Sequence, residues 1–291
     1  MSIEKFKIRY LLPGAVVGMV AALAADAPEI ASAITALFAG SHNVGIGIII
    51  GSCIFNVAVL LGLNALIIGK LPLNRKALLW DGAASLAIII IITLLLYRVT
   101  SPLITFLLLT AVLVPYIVIS VLKPRRSGGK GLSAEVNKLV QLTDGQNKKV
   151  AGEKHTVFWK SWSGVWPAII SILVIIATSV GLVNSAVFLS EEIGLSPLIL
   201  GTIVLAVLTS IPNLITSVKL AKEGNGAAVM SESLNSNNLN IFLGISLPVI
   251  LTALGMVTQQ ALFSVWWLLG ISLTALGLLY YIKSIKYLQL I

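Results

Sequence analysis

The stretch "AADAPE" (Ala24 to Glu29) places two carboxylates inside a long apolar run. Asp26 and Glu29 are three positions apart, so on a helix their side chains share one face. A carboxylate in the hydrocarbon core of a membrane is costly unless it faces an ion, a partner or a cavity. No Lys or Arg stands near them in this run, and Pro28 removes a backbone donor. Two carboxylates and freed carbonyls predict a cation site.

The composition around this stretch is typical of an integral membrane protein. Of the 291 residues, 57% are hydrophobic and only 11% are charged, whereas a soluble domain carries about 25% charged residues. The sequence therefore predicts an all-α membrane protein of about eight transmembrane helices, of which the first, second and seventh are long enough to be tilted or broken. The eight apolar runs are 10–39, 43–69, 77–97, 101–122, 163–188, 196–218, 227–254 and 262–282.

The distribution of basic residues predicts the topology. If the spans alternate in direction, 19 of the 20 Lys and Arg residues fall on one side, and only Arg98 falls on the other. Basic residues near membrane spans stay on the cytoplasmic side. We therefore expect a multi-pass protein of the cell membrane with both termini in the cytoplasm. Topology accounts for the net charge of +9, so no nucleic-acid partner is expected.

A polar segment divides the chain into two membrane halves. Residues 123–161 form a basic loop, predicted to be cytoplasmic, between residues 1–122 and residues 162–291. Basic segments beside a membrane attract anionic lipids, so a lipid- or calcium-sensing loop is one interpretation. A solvated linker that follows the charge rule is the interpretation we favour.

The two halves repeat one another. "PEIASAITALFAG" begins at Pro28 and "PNLITSVKLAKEG" begins at Pro212, and each is followed by a second piece, "GSCIFN" or "NSNNLN". The distance from the proline to the last asparagine, Asn56 or Asn240, is 28 residues in both copies. The predicted topology runs the two copies in opposite directions across the membrane. Inverted repeats with polar residues and prolines at matching positions are typical of a transporter with a site at the membrane midplane.

Oxygen-bearing side chains occupy the matching positions of both copies, and hard cations such as Na⁺ and Ca²⁺ prefer oxygen ligands. Glu232 extends the polar face towards the cytoplasm, either as part of an ion pathway or as a helix-entry residue that reaches water. Asp81 is expected at a solvated interface, and Glu191 and Glu192 in an outer loop. The candidate metal ligands are Asp26, Glu29, Ser52, Asn56, Thr209, Ser210, Asn213, Glu232, Ser236 and Asn240.

These segments resemble the α-repeats of the cation/calcium antiporter superfamily, which includes sodium/calcium exchangers. The family pattern is roughly "GTSxPE" followed by "GSNxFN" or "GSNxxD", and it is duplicated in inverted orientation. The resemblance implies alternating access, with two gating helices that slide over a core of ion sites. It also implies that Thr209 and backbone oxygens near Ala22 and Ala206 belong to sodium sites, and that the remaining matched positions line the central ion sites.

The chain departs from the family pattern in charge and in span number. Asn213 and Asn240 stand where acids occur in the family, and Asp26 stands where the family usually has Ser. The family fold has ten spans, whereas this sequence resembles the second to the ninth. The alternatives are that a second subunit of a homo-oligomer supplies the missing gating helix, that the fold is a reduced eight-span version, or that gating differs.

Three functions remain open from the sequence. The leading hypothesis is a secondary active antiporter for Na⁺ and/or Ca²⁺, with inorganic cations and the lipid bilayer as its partners. The second is a proton-coupled or purely monovalent cation antiporter, suggested by Asn213 and Asn240. The third is a non-transporting membrane protein that binds ions. No enzyme activity and no cofactor other than the transported ions are expected.

Overall fold

The computed structural model describes residues 14–68, 75–122, 162–222 and 226–281, and these ranges are helical apart from short turns and the irregular segment 253–258. Helix α2 comprises His42–Phe55, a π-helical segment Asn56–Leu60 and Leu61–Ile68, and helix α8 comprises Gly226–Leu239, a π-helical segment Asn240–Ser246 and Leu247–Thr252. The other helices are α1 (Gly14–Phe38), α3 (Arg75–Leu96), α4 (Pro102–Leu122), α5 (Trp162–Ile193), α6 (Pro197–Thr209), α7 (Ile211–Lys222) and α9 (Gln259–Tyr281).

The prediction of an all-α membrane protein is confirmed. Within the described ranges, six helices are long and apolar enough to cross a membrane, and α6 with α7 makes a seventh span if the bent pair is counted as one. The first predicted span corresponds to α1, which has 25 residues but whose side chains are described only in part. The count of eight spans therefore stays a prediction. The predicted loop 123–161 and both termini lie outside the described residues.

The break in the helices lies where the sequence did not place it. α6 and α7 meet at Ser210 with a bend of 48°, and Ser210 has φ −83° and ψ 0°, outside the helical region. Pro212 follows, and its ring and missing N–H disrupt the preceding turn. Pro28, at the matching position, lies inside the continuous helix α1. The first, second and seventh runs, predicted to be long enough to be tilted or broken, contain no such bend among the described residues, although α2 and α8 each contain a π-helical segment that begins at the matching asparagine.

Helix α2 lies at the centre of the bundle. The apolar span of α2 is 78% buried inside the protein, and that of α8 is 67% buried. The apolar spans of α4, α5 and α9 are each only 22% buried. The latter three helices therefore present most of their surface to lipid. The apolar core around α2 includes Ile46, Ile48 and Ile49, which are fully buried.

Glycines let α2 and α6 approach backbone to backbone. A Cβ atom at Gly47 would lie 2.9 Å from the carbonyl oxygen of Leu198, and one at Gly201 would lie 2.7 Å from that of Val44. A Cβ atom at Gly51 would overlap the backbone of Thr202. Gly47 and Gly51 form a small-xxx-small pair, the pattern that permits close helix packing in membranes. This crossing holds the two repeats together beside Ser52.

We predict that Gly51→Ala destabilises the protein by about 3 kcal/mol, because the added methyl group meets backbone that cannot move aside. Gly62→Ala on the same helix is the matched control, since nothing lies within 4 Å of its Cβ position. The control should gain up to about 1 kcal/mol from helix propensity. Thermal unfolding in detergent measures both variants, and equal melting temperatures would contradict this account of the crossing.

Two expectations about acidic residues are wrong. Asp81 is only 4% exposed and accepts a hydrogen bond from Tyr116 Oη at 3.2 Å, so it lies inside the bundle and not at a solvated interface. Glu191 and Glu192 are exposed but lie within the last turns of α5, because that helix continues past the apolar run used to predict it.

Candidate cation-binding site

Asp26 lies in the middle of α1 and is fully buried. Its Oδ1 atom accepts hydrogen bonds from Asn213 Nδ2 at 2.7 Å and from Ser236 Oγ at 2.6 Å. These donors come from α7 and α8 in the second half of the chain. The predicted meeting of the acidic first copy and the amide-rich second copy is therefore present in the structure.

Glu29 is also fully buried and lies one turn after Asp26 on α1. Its Oε1 atom accepts hydrogen bonds from Ser210 Oγ at 2.8 Å and from Asn213 Nδ2 at 3.1 Å. Ser210 Oγ also lies 3.2 Å from Ser52 Oγ on α2. The amide nitrogen of Asn213 thus bridges both carboxylates and holds Asp26 and Glu29 on one face.

The contacts of the site repeat across the two halves. Glu29 and Asn213 occupy equivalent positions of the two copies, 184 residues apart, and the same separation relates Asp26 to Ser210 and Ser52 to Ser236. The bond between Asp26 and Asn213 therefore has an equivalent in the bond between Ser210 and Glu29. Likewise the bond between Ser236 and Asp26 corresponds to the contact between Ser52 and Ser210. The contacts of the site are therefore related by an approximate two-fold axis, as expected for inverted repeats.

Asn237 is a residue of the site that sequence reasoning missed. Its Oδ1 atom accepts a hydrogen bond from Asn56 Nδ2 at 3.0 Å, and its Nδ2 atom donates to the carbonyl of Cys53 at 3.2 Å. Cys53 and Asn237 are equivalent positions, 184 residues apart, so this contact lies across the approximate axis. The signal was available, because Asn237 stands at the third position of "NSNNLN", where the family pattern has Asn. Ser233, also missed, donates to the carbonyl of Asn56 at 2.7 Å.

The other predicted residues make no hydrogen bond to Asp26 or Glu29 among the described residues. Thr209 is buried, but its hydroxyl bonds the carbonyls of Leu205 and Ala206 in its own helix. Asn240 is fully buried and makes no side-chain hydrogen bond among the described residues. Glu232 is half-buried on α8.

Five buried side-chain oxygens of the two central acids and the predicted asparagines have no hydrogen-bond partner in the described part of the chain. Buried polar atoms are nearly always paired, so such a concentration in a membrane interior points to a missing ligand. Water or a cation would satisfy these atoms. The five atoms are Asp26 Oδ2, Glu29 Oε2, Asn56 Oδ1, Asn213 Oδ1 and Asn240 Oδ1.

The charge of the site is negative and its ligands are hard. Asp26 and Glu29 pair with no basic side chain among the residues that the structure describes, and those residues include no group of three His, Cys, Asp or Glu side chains that could hold a metal. Two carboxylates among neutral oxygens are suited to Ca²⁺ or Na⁺ and not to a soft transition metal.

Comparison with known proteins identifies similar sequences. The family model described as sodium/calcium exchanger protein matches residues 2–123 and 163–289. The sodium/calcium exchanger MaX1 of Methanosarcina acetivorans is 28% identical over 112 residues, which are 38% of this chain and 32% of that protein. Sodium/potassium/calcium exchanger 2 of Gallus gallus is 48% identical over 63 residues, which are 22% of this chain and 10% of that protein. The matches span a third or less of these relatives.

Solved structures share the fold. The sodium-calcium exchanger NCX_Mj superposes with a TM-score of 0.58 at 22% identity, over 97% of this chain and 84% of that one. An H⁺/Ca²⁺ exchanger, CAX, superposes with a TM-score of 0.66 at 15% identity, over 92% of this chain and 67% of that one.

Proposed function

Because this chain belongs to the sodium/calcium exchanger protein family, we propose that it is a secondary active antiporter that exchanges Ca²⁺ for Na⁺ by alternating access. The observation that carries the proposal is the buried meeting of Asp26 and Glu29 with Asn213, Ser210 and Ser236 from the opposite repeat. A site made by both inverted copies can open to either side when the two halves move.

Charge balance makes the transported ions compete for this site. One Ca²⁺ neutralises both carboxylates, and so do two Na⁺ ions. A buried ionised carboxylate without compensation is strongly unfavourable, so the loaded site is favoured over the empty one. Calcium and sodium cannot both be fully coordinated by the same oxygens, and this exclusion couples the flux of one to the release of the other.

Asn213 has two roles in this cycle. In the absence of an ion its amide hydrogens bridge the two carboxylates and partly offset their repulsion. When a cation lies between Asp26 and Glu29, the free oxygen of the same amide can turn towards it as a neutral ligand. The side chain thus satisfies the site in both states.

Helix α5 is the proposed gating element. It has 32 residues, about 48 Å at a rise of 1.5 Å per residue, which exceeds the roughly 30 Å of the hydrocarbon core. It packs against α1, which carries both acids, and against Leu200–Leu205, a π-helical segment of α6. The long apolar surface that it shows to lipid would allow it to slide along the core.

The test is calcium uptake into proteoliposomes loaded with Na⁺. An outward sodium gradient should drive ⁴⁵Ca²⁺ uptake, and uptake should cease when N-methyl-D-glucamine replaces the internal Na⁺. Protein-free liposomes and a sodium ionophore control for leak and membrane potential. Absence of gradient-driven uptake in folded protein would reject sodium/calcium exchange.

Proton coupling is the second candidate, supported by the neutral Asn213 and Asn240 and by the likeness to the fold of an H⁺/Ca²⁺ exchanger. Two carboxylates can exchange one Ca²⁺ for two protons without further ligands. A pH dye inside the same vesicles distinguishes sodium exchange from proton exchange. Calcium entry would raise the internal pH only if protons leave the vesicles in exchange.

A further inference from the structure

The inner half of the bundle contains a second group of buried oxygens, away from the central carboxylates. Asn64 on α2 and Ser217 on α7 are both fully buried, and Asn64 Nδ2 donates to Ser217 Oγ. The Oδ1 atom of Asn64 has no hydrogen-bond partner among the described residues. Helices α2, α7 and α8 pack against one another in this region. A buried amide oxygen without a partner in a membrane interior is expensive.

Asn64 lies on the same face of α2 as Asn56, which belongs to the central site. Asn56, Leu60 and Asn64 follow at intervals of four along the buried face of α2, and eight residues of helix span about 12 Å. Asn56 also has an unpartnered amide oxygen. At the level of Asn56, Ser233 of α8 donates a hydrogen bond to the Asn56 carbonyl.

The outer half of the bundle has no equivalent of this pair. The separation of 184 residues that relates the contacts of the central site relates Asn64 to Pro248 and Ser217 to Ala33. Neither Pro248 nor Ala33 has a side chain that can bind an ion. Buried hydroxyls of Ser32 and Ser246 remain in the outer half, but no amide or acid accompanies them at these positions. The two-fold relation that holds for the contacts of the central site therefore does not extend to Asn64 and Ser217, which lie near the C-terminal ends of α2 and α7.

We infer that Asn64 Oδ1 and Ser217 Oγ form a second cation site, which holds a monovalent, partly hydrated ion of the Na⁺ class between the central site and the inner face. The inference rests on the proposed function for the identity of the ion but not for the existence of the site. Neutral oxygens suit a singly charged ion, whereas Ca²⁺ takes six to eight oxygens and usually carboxylates.

An interhelical hydrogen bond between Asn64 and Ser217 would also stabilise the bundle without any ion, so the test must measure ion binding. We would remove the central site with Asp26→Asn and Glu29→Gln and follow thermal unfolding in detergent against NaCl, with N-methyl-D-glucamine chloride at equal ionic strength. The expected result is a Na⁺-specific rise of the melting temperature that persists in this double variant. Adding Asn64→Leu or Ser217→Ala should raise the half-saturating Na⁺ concentration at least tenfold.

Thr216→Val is the matched control, because Thr216 is the neighbour of Ser217 but is exposed and bonds only its own helix. Absence of any Na⁺-specific response in the double variant, or a response unchanged by Asn64→Leu and Ser217→Ala, would overturn the inference. If wild-type protein shows no exchange in liposomes but keeps the second response, the proposed transport function fails and this site stands.

In vesicles of known orientation, the second site predicts that a substitution changes the Na⁺ dependence of transport at one membrane face and not at the other. Asn64→Leu should raise the half-saturating Na⁺ concentration about tenfold at the inner face and leave it within twofold at the outer face. An equal shift at both faces would indicate a purely structural role and overturn the inference.

Discussion

Glu29→Gln is expected to reduce calcium uptake below about 1% of the wild-type rate at limiting Ca²⁺. The variant keeps the size of the side chain and an oxygen for Ser210, but it removes one of the two charges that balance a divalent ion. Loss of one member of a buried charge pair costs about 3 kcal/mol or more, which is about a hundredfold in affinity. The measurement is the initial rate of ⁴⁵Ca²⁺ uptake over a range of Ca²⁺ concentrations.

The stability of the same variant separates a lost ligand from a misfolded protein. Without cations, Glu29→Gln should melt at a higher temperature than wild type, because a buried and uncompensated charge has been removed. Added Ca²⁺ should stabilise wild type but not the variant, since a ligand stabilises only the protein that binds it. Glu191→Gln makes the same chemical change at an exposed position of α5 and should leave uptake and melting unchanged. Wild-type uptake by Glu29→Gln would remove the central carboxylate from the mechanism.

Exchange of the groups at positions 26 and 213 is expected to restore the transport that each single change impairs. Asp26 Oδ1 and Asn213 Nδ2 are 2.7 Å apart, so the double variant Asp26→Asn, Asn213→Asp moves one negative charge by about one hydrogen bond. The moved carboxylate would lie beside Glu29, whose Oε1 atom is 3.1 Å from the amide of Asn213. The double variant therefore still has two carboxylates facing the ion.

A double-mutant cycle measures this compensation. Asp26→Asn alone should lose at least about a hundredfold in calcium affinity, for the reason given for Glu29→Gln. Asn213→Asp alone adds a third carboxylate that one Ca²⁺ cannot neutralise, and the excess charge should slow ion release. The double variant should return to within about tenfold of wild type. Uptake by the double variant no better than by the worse single variant would mean that Asp26 acts at a fixed place and not as a movable charge.

The sequence predicted which polar residues meet better than it predicted the hydrogen bonds between them. The prolines and asparagines at equal spacing predicted that Asp26, Glu29, Asn213 and Ser236 lie at one level, and the structure brings these residues into contact. It gave no indication that Asn213 bridges both acids or that Asn56 turns to Asn237. Those contacts depend on how each helix is rotated about its own axis, which axial spacing along a chain does not specify.

The break between α6 and α7 shows the same limit. Pro28 and Pro212 are equivalent in sequence, yet only the second helix bends, by 48°. A proline weakens a helix at either place, and the surrounding packing determines whether the helix continues. Asp81 was likewise judged from its basic neighbours in sequence, whereas its environment is set by Tyr116 on another helix.

The sequence by itself determined the all-helical membrane architecture, because hydrophobic length acts locally along the chain. It predicted two related halves and a common level for the polar residues from residue spacing. Only the tertiary structure decided which oxygens meet, which remain without a partner and where a helix bends. The physical reason is that side-chain contacts between helices depend on crossing distance and rotation. Here those are set by contacts between residues far apart in the sequence, such as Gly51 against the backbone of Thr202.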